Sequence, residues 1–199
     1  MIHGGFANRL SSAVGFKLAP GSLPTIGGMN NQLPAASHDA TLQTLVTHNA
    51  WANRQLFAAL HDVDSFDSRQ GADLIRQALD HIHVVRSIFK AHLQGVSHGY
   101  DAPRRAVFPT LEELDRESEQ IDGWYVETVA SLDSQELARA RDVRFTDGKI
   151  VSMTPTAMIL HVVTHTIHHR GNVDVIMLQT GMPRRRDGIP DFLSRGSAK

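Results

Sequence analysis

Four stretches of the chain, all after residue 38, repeat apolar residues three and four positions apart, which is the spacing of an amphipathic helix. The first predicted helix carries such a stripe from Leu42 to Leu60, and the other three repeat the pattern. The four helices are expected over about Asp39–Leu60, Ala72–Leu93, Thr110–Leu132 and Thr154–Gly181. Four long amphipathic helices predict an all-α protein, with a four-helix bundle as the first choice of fold.

Two of these helices begin with identifiable caps. Thr110 and Glu113 form a Thr-x-x-Glu capping box, in which side chain and backbone satisfy one another's hydrogen bonds. Thr154 is a suitable N-cap, and Pro155 occupies the first helical position, where proline is favoured. Gly181, followed by Pro183, predicts the end of the last helix.

A short β-hairpin is predicted between the third and fourth helices. The segment VRFTDGKIV has strand-forming residues on both sides of Asp147-Gly148. An Asp-Gly pair in this setting predicts a type I′ turn. A two-stranded ribbon is marginal alone, so we expect it to lean on the helices.

Residues 1–38 differ in composition from the rest. They contain Gly4-Gly5 and Gly27-Gly28, and no acidic residue occurs before Asp39. We expect a flexible N-terminal extension, or an upstream start with Met29 as the working N-terminus, rather than a transit peptide. The bundle domain is then expected over residues 39–199.

Composition narrows the functional classes. The chain has 199 residues, 41% of them hydrophobic, which suits one domain with a proper core. Twenty Lys+Arg against 21 Asp+Glu argue against a nucleic-acid partner. Without cysteine, a metal site would have only nitrogen and oxygen ligands. No apolar run approaches the roughly 20 residues that span a bilayer, and we expect a cytoplasmic protein.

The most informative motif is HVVTHTIHHRGN, which places four histidines on the fourth predicted helix. Imidazoles at positions i and i+4 lie on one helical face and can reach one metal ion. The HExxH motif of zinc proteases has a catalytic Glu where this chain has Thr166, so that interpretation fails. The four histidines are His161, His165, His168 and His169.

Helical directions separate the histidines. On the fourth helix, His165 and His169 lie about 20° on either side of Met158, at the centre of the apolar stripe, whereas His161 lies at its edge and His168 further round. On the second helix, His81 lies at the border of the stripe, whereas His83 points to the opposite side and His92 lies three turns further on. His81 is therefore the best third ligand for His165 and His169.

Two asparagines occupy the middle of the apolar stripe on the first helix. Asn49 and Asn53 lie one turn apart, while His48 and Trp51 fall off the stripe. Buried amides need partners, so these two are predicted either to hydrogen-bond the outer nitrogens of the ligand imidazoles or to bond to one another or to backbone.

Two charged neighbours of the histidines are expected to lie away from the metal. Asp80 adjoins His81 but points off the inward face, which predicts a solvated acid. Arg170 points away from the ligand line and is expected to pair with an acid on a neighbouring helix. No carboxylate stands out as a general base.

Three segments carry a family resemblance. HNAWAN on the first helix, ALDHIHVV on the second and HVVTHTIHHRGN on the fourth resemble the DinB-like family, in the expected order, over about Leu42–Leu193. The most specific part is His-x-x-His-His-Arg-Gly, from His165 to Gly171, whereas His48 replaces an aromatic residue often found there.

The resemblance implies an antiparallel four-helix bundle, often dimeric, that binds a divalent metal through three histidines. Imidazole ligands suit several such metals, and we expect Zn, Ni or Fe. Carried over residue by residue, the ligands are His81, His165 and His169, the set that the helical directions also selected. His161 and His168 would then be neighbours of the site. Related proteins include thiol S-transferases and a maleylpyruvate isomerase.

The leading functional hypothesis is a metal-dependent enzyme that acts on a small electrophile. Three protein ligands leave an open position, which is typical of catalytic metals. Such a position lowers the pKa of a bound water or thiol. The resemblance implies a thiol S-transferase that uses a low-molecular-weight thiol, and a hydrolase is the second expectation. The alternatives are a non-catalytic metal-binding or sensing bundle, and a bundle whose histidines serve packing only.

Overall fold

The computed structural model describes residues 36–195, which form six α-helices, one 3₁₀-helix and two short strands. The helices are α1 (Ala36–His61), α2 (Ala72–Gln94), α3 (Leu111–Ser131), α4 (Ser134–Ala138), α5 (Pro155–Gln179) and α6 (Ile189–Ser194). A 3₁₀-helix covers Phe66–Ser68, and the strands are β1 (Arg141–Arg144) and β2 (Ile150–Met153). The expected extension over residues 1–38, including Met29, lies almost wholly outside the described residues.

The predicted caps are confirmed. Thr110 accepts a hydrogen bond from the backbone N–H of Glu113, and the Glu113 carboxylate accepts one from the backbone N–H of Thr110. Thr154 caps α5, with Pro155 at its first position. The backbone leaves α5 through Gly181, whose φ of 71° is a conformation that glycine adopts without strain. The starts of α3 and α5 and the end of α5 therefore follow from local sequence.

The four long helices share one apolar core. Helix α1 packs against α3 and α5, and α2 packs against the same two helices. Leu60, Ile75, Leu114 and Met177, one from each helix, are fully buried in a single cluster. Burying such side chains stabilises the fold by about 1.5–3 kcal/mol each. This shared core fixes the spacing of α2 and α5, the two helices that carry the predicted metal ligands.

The hairpin is present, but its predicted turn is wrong. Strands β1 and β2 pair antiparallel, from Arg141 opposite Met153 to Arg144 opposite Ile150. A type I′ turn needs positive φ at both central residues. Only Gly148 has it, since Asp147 is not among the described residues with positive φ. The Gly148 N–H donates to the Phe145 carbonyl, so a longer loop, with glycine in the left-handed position, joins the strands.

Two connections cover surfaces that the helical pattern leaves open. The α2–α3 connection, residues 95–110, lies against α2 through Arg105 and Pro103. The segment after α5 returns to α1, where Phe192 of α6 packs against His48 and Trp51. Both connections bury polar groups that periodicity places at the surface.

Candidate metal centre

Helices α2 and α5 bring the three predicted histidines together. His81 lies on α2, and His165 and His169 lie one turn apart on α5. The Nε2 atoms of His81 and His165 are 3.0 Å apart. The three ring centroids lie 4.4–4.8 Å from one another. One ring nitrogen of each residue lies within 4.8 Å of those of the other two, which is compatible with a single metal ion.

These rings lie at the border of the α5 core face, and the prediction that they occupy its centre is wrong. The residues of α5 that are fully buried include Ile159, Thr166 and Met177, whose directions lie about 80–100° round the helix from Met158. His165 and His169 are only half-buried. Their position at the seam with α2 leaves one side of the cluster towards solvent.

The hydrogen bonds of His81 define which of its nitrogens is free. Its Nδ1 lies 2.7 Å from the carbonyl oxygen of Pro103, and a carbonyl can only accept. The proton of neutral His81 is therefore on Nδ1, and Nε2 presents its lone pair to His165. Metal-binding histidines almost always donate their outer N–H in this way.

Burial favours the uncharged form of the two histidines on α5. Desolvation, followed by the neighbouring His169 and His81, lowers the pKa of His165 to about 3. Desolvation also lowers the pKa of His169. Neutral imidazole is the form that binds metals, so these rings need not lose a proton to bind one at neutral pH.

The donor set fits a divalent transition metal. Imidazole bonds of about 2.0–2.1 Å place two nitrogens on one ion roughly 3 Å apart, which matches the Nε2 atoms of His81 and His165. The two Nε2 atoms can be joined by one hydrogen bond, or they can both bind one cation. These two arrangements exclude each other. Among residues 40–195, no other histidine or carboxylate joins the three in such a group. His165 Nδ1 is buried without a partner there, so the outer nitrogen of this ring is not fixed as that of His81 is.

His161 and His168 flank the cluster. The His161 ring packs against Phe89 at 4.6 Å and lies 5.6 Å from the His165 ring, between centroids. Desolvation there lowers the His161 pKa. His168 is exposed, and its ring centroid lies 4.9 Å from that of His169, with the two rings nearly perpendicular. Both rings therefore lie next to the three-histidine cluster.

The asparagines of α1 are buried, but both predicted sets of partners are wrong. Asn49 and Asn53 accept hydrogen bonds from Nη1 of Arg170, on the side of α5 away from the metal cluster. The Asn53 amide donates to both carboxylate oxygens of Asp122 on α3. They bond neither to the imidazoles nor to one another, because Arg170 lies between α1 and α5.

A buried ionic network was missed by the helical analysis. Arg86 of α2 is 1% exposed and donates to Asp122, which is 4% exposed, and to Ser118. Arg170 is 3% exposed and also donates to Asp187, an acid in the segment after its own helix rather than on a neighbouring one. Arg86 and Asp122 fall within the apolar stripes of their helices, and this position is the sequence signal that indicates their burial. We call Asn49, Asn53, Arg86, Ser118, Asp122, Arg170 and Asp187 the polar network.

Two further expectations are corrected by the covering connections. Asp80, predicted to be solvated, is 0% exposed because Arg105 of the α2–α3 connection lies over it. His48, placed off the stripe, is 5% exposed, and its Nε2 donates to the Asp187 carbonyl at 2.7 Å. Periodicity along one helix contains no information about which loop crosses its outer face.

None of the helices within residues 36–195 is long and apolar enough to cross a membrane. No curated protein matches the chain. The family model of the DinB family matches residues 29–195, which include the whole histidine cluster and the polar network. The resemblance of the three histidine-bearing segments is thereby confirmed, and the chain belongs to the DinB family.

Proposed function

We propose that the protein is a metal-dependent enzyme whose divalent ion is held by His81, His165 and His169. The observation that carries the proposal is the convergence of three half-buried imidazole rings on one point, with burial lowering the pKa of both α5 histidines. The Pro103 carbonyl supports it, because it directs the His81 lone pair towards that point. Zn, Ni and Fe are the proposed metals, since all accept imidazole ligands.

The scaffold of the site is proposed to be an antiparallel four-helix bundle. Each of α1, α2, α3 and α5 contacts two of the others, and all four contribute to one core cluster. In such bundles, metal ligands project from facing helices. Here α2 supplies one ligand and α5 supplies two, so the site depends on the packing of this helix pair.

Three protein donors leave part of the coordination sphere open, and we propose that substrate chemistry occurs there. When bound, a divalent ion lowers the pKa of a water or thiol in an open position. The residues of the chain hold and orient the ion. Asp80, the carboxylate next to His81, is engaged by Arg105 and is not a free base.

Thiol S-transfer to a small electrophile is the first proposed reaction, and hydrolysis is the second. Untagged protein reconstituted with Zn, Ni or Fe would be assayed with mycothiol, bacillithiol and glutathione, each with an electrophile panel, and with esters in the absence of thiol. Product that forms only in the presence of one of these three thiols supports S-transfer. Ester cleavage without thiol supports hydrolysis.

The matched variants are His165→Ala and His61→Ala. His61 lies at the end of α1 against Asp115, outside the cluster. We expect His165→Ala to lose bound metal and activity, and His61→Ala to retain both. Full retention of metal and activity in His165→Ala would sink the proposal.

A non-catalytic metal-binding or sensing role is the second candidate. The supporting observation is that no carboxylate joins the three histidines among residues 40–195, so the cluster lacks a ready general base. One metal per chain with no turnover in either panel would favour this role. A metal-free protein indifferent to chelator would instead leave the histidines with a packing role.

A homodimer is also proposed. Helix α5 exposes four large apolar residues, Leu160, Ile167, Val175 and Leu178, over a length of about 27 Å. Pairing this stripe with that of a second copy would remove it from water in a symmetric contact. Light scattering should give twice the chain mass, and Ile167→Glu should give the monomer mass.

A further inference from the structure

A buried carboxylate lies directly beside the metal ligand of α2. Asp80 is 0% exposed, although it lies off the core face of its helix. The backbone N–H of Arg105 donates to Asp80 Oδ2 at 2.8 Å, and the Arg105 Nε donates to Oδ1 at 2.5 Å. A buried carboxylate must be paired, so these two bonds tie the α2–α3 connection to α2.

The same arginine is also tied to α3. The two terminal nitrogens of Arg105 donate to the two carboxylate oxygens of Glu117 at 3.0 and 2.8 Å. This hydrogen bonding raises the pKa of Arg105 and lowers that of Glu117, so both groups stay charged. A bidentate pair fixes direction as well as distance. Arg105 is thus held by one acid on each of two helices.

The carbonyl that orients His81 lies two residues before this arginine. Pro103 accepts the Nδ1–H of His81 at 2.7 Å. Two residues of backbone span at most about 7 Å, so fixing Arg105 restricts where the Pro103 carbonyl can move. The Pro103 ring restricts the backbone further, because it locks φ. Without these contacts, an exposed connection would hold its carbonyl loosely.

We infer that Arg105 is a positioning residue for the metal site. Its pairing with Asp80 and Glu117 holds the Pro103 carbonyl on His81 Nδ1, which keeps the proton there and directs Nε2 towards His165 and His169. The inference rests on the proposed metal-binding role of these histidines. It assigns a purpose to the Asp80–Arg105–Glu117 contacts beyond neutralising a buried charge.

The test compares Arg105→Gln with Arg76→Gln. Arg76, a residue of α2, is likewise paired with two acids, Asp67 of the 3₁₀-helix and Asp73 of α2, so its variant removes the same charge and similar bonds away from His81. Zinc affinity would be measured by chelator competition. The proton position on His81 would be measured by nitrogen NMR of the imidazole in metal-free protein, and stability by urea unfolding.

We expect Arg105→Gln to bind zinc about tenfold more weakly, the lower end of the range for residues that support a ligand from outside. In the same variant, the His81 proton should be distributed over both nitrogens. Arg76→Gln should match the wild type in affinity and proton position. If Arg105→Gln does not fold, the positioning role is tested by the same measurements on Glu117→Gln. This variant loosens the guanidinium but leaves its contacts with Asp80.

Lower stability with unchanged zinc affinity and an unchanged Nδ1 proton would overturn the inference, because the contacts would then be structural only. Failure of the proposed function looks different. In that case the wild-type protein binds no zinc, while its His81 proton position can still be compared with that of the variants. A wild-type Nδ1 proton that shifts in Arg105→Gln would then support the positioning of His81 alone.

Discussion

Helix α5 carries two polar pairs, and each pair faces a different neighbour. His165 and His169 face α2 at a half-buried seam, whereas Thr166 and Arg170, one position later in each case, face the fully buried interior. Arg170 donates to three residues of the polar network. The histidines instead meet one another and His81, with the outer Nδ1 of His165 unpartnered among the described residues.

The difference separates a structural polar cluster from one suited to binding. In the polar network, carboxylates and amide oxygens accept the hydrogen bonds that the arginines donate, so its groups are largely satisfied by one another. In the histidine cluster, ring nitrogens converge and only one hydrogen bond can form between His81 and His165. Groups that satisfy each other specify packing. Groups that compete for one proton leave capacity for a cation.

The largest expected effect is on the polar network. Asp122→Ala leaves Arg86 buried without its carboxylate and removes the acceptor of Asn53. Losing one partner of a buried ion pair costs about 3–5 kcal/mol. Urea unfolding should therefore show a loss of this size in the free energy of unfolding. Glu119→Ala, on the exposed side of the same helix, is the control. A loss below about 1 kcal/mol would mean that the network is solvated.

Metal binding at the histidine cluster should increase the free energy of unfolding. A ligand that binds only the folded state at 100 times its Kd adds about 2.7 kcal/mol to the free energy of unfolding. We expect this gain when zinc is added to the metal-free wild-type protein, and no gain for His165→Ala. The measurement is urea unfolding with and without zinc. An equal gain in both proteins would place the zinc elsewhere.

Substitution of the α1 asparagines tests whether the polar network and the histidine cluster act independently. Asn53→Ala removes the acceptor of one arginine bond and the donor to Asp122, and should cost about 1–3 kcal/mol of unfolding free energy. Asn49→Ala removes the hydrogen bond that Asn49 accepts from Arg170 and should lower the unfolding free energy by less. Zinc affinity, measured by chelator competition, should be unchanged in both. Weaker zinc binding by these folded variants would revive the hypothesis that the amides orient the imidazoles.

What could be predicted from the sequence depended on local spacing. The starts of α3 and α5 follow from side chains within three residues of the cap. The spacing of four residues between His165 and His169 predicts that both rings lie on one face of the helix. His81 was selected because its direction on α2 differs from that of His83 by about 200°. These inferences required only the geometry of one helix at a time.

The rest depended on contacts between elements. The sequence predicts that Arg170 points away from the ligand line and pairs with an acid on a neighbouring helix. Its burial depends on acceptors from other elements, namely Asn49, Asn53 and Asp187. Asp80 and His48 are buried by connections whose paths have no periodic pattern. A polar residue opposite a complementary one on another helix can be recognised only when the packing of both helices is known.

The smallest expected effect distinguishes two adjacent histidines. His168 and His169 differ by about 100° in direction on α5, and only His169 turns towards His81. His168→Ala removes an exposed ring, so the free energy of unfolding should change by less than about 0.5 kcal/mol and zinc affinity should stay at the wild-type value. His169→Ala is the matched variant and should lose zinc binding while it retains the fold. If chelator competition instead shows that both variants lose zinc equally, the ligand set is not defined by direction on α5. The ring contact between His168 and His169 would then have to count as part of the site.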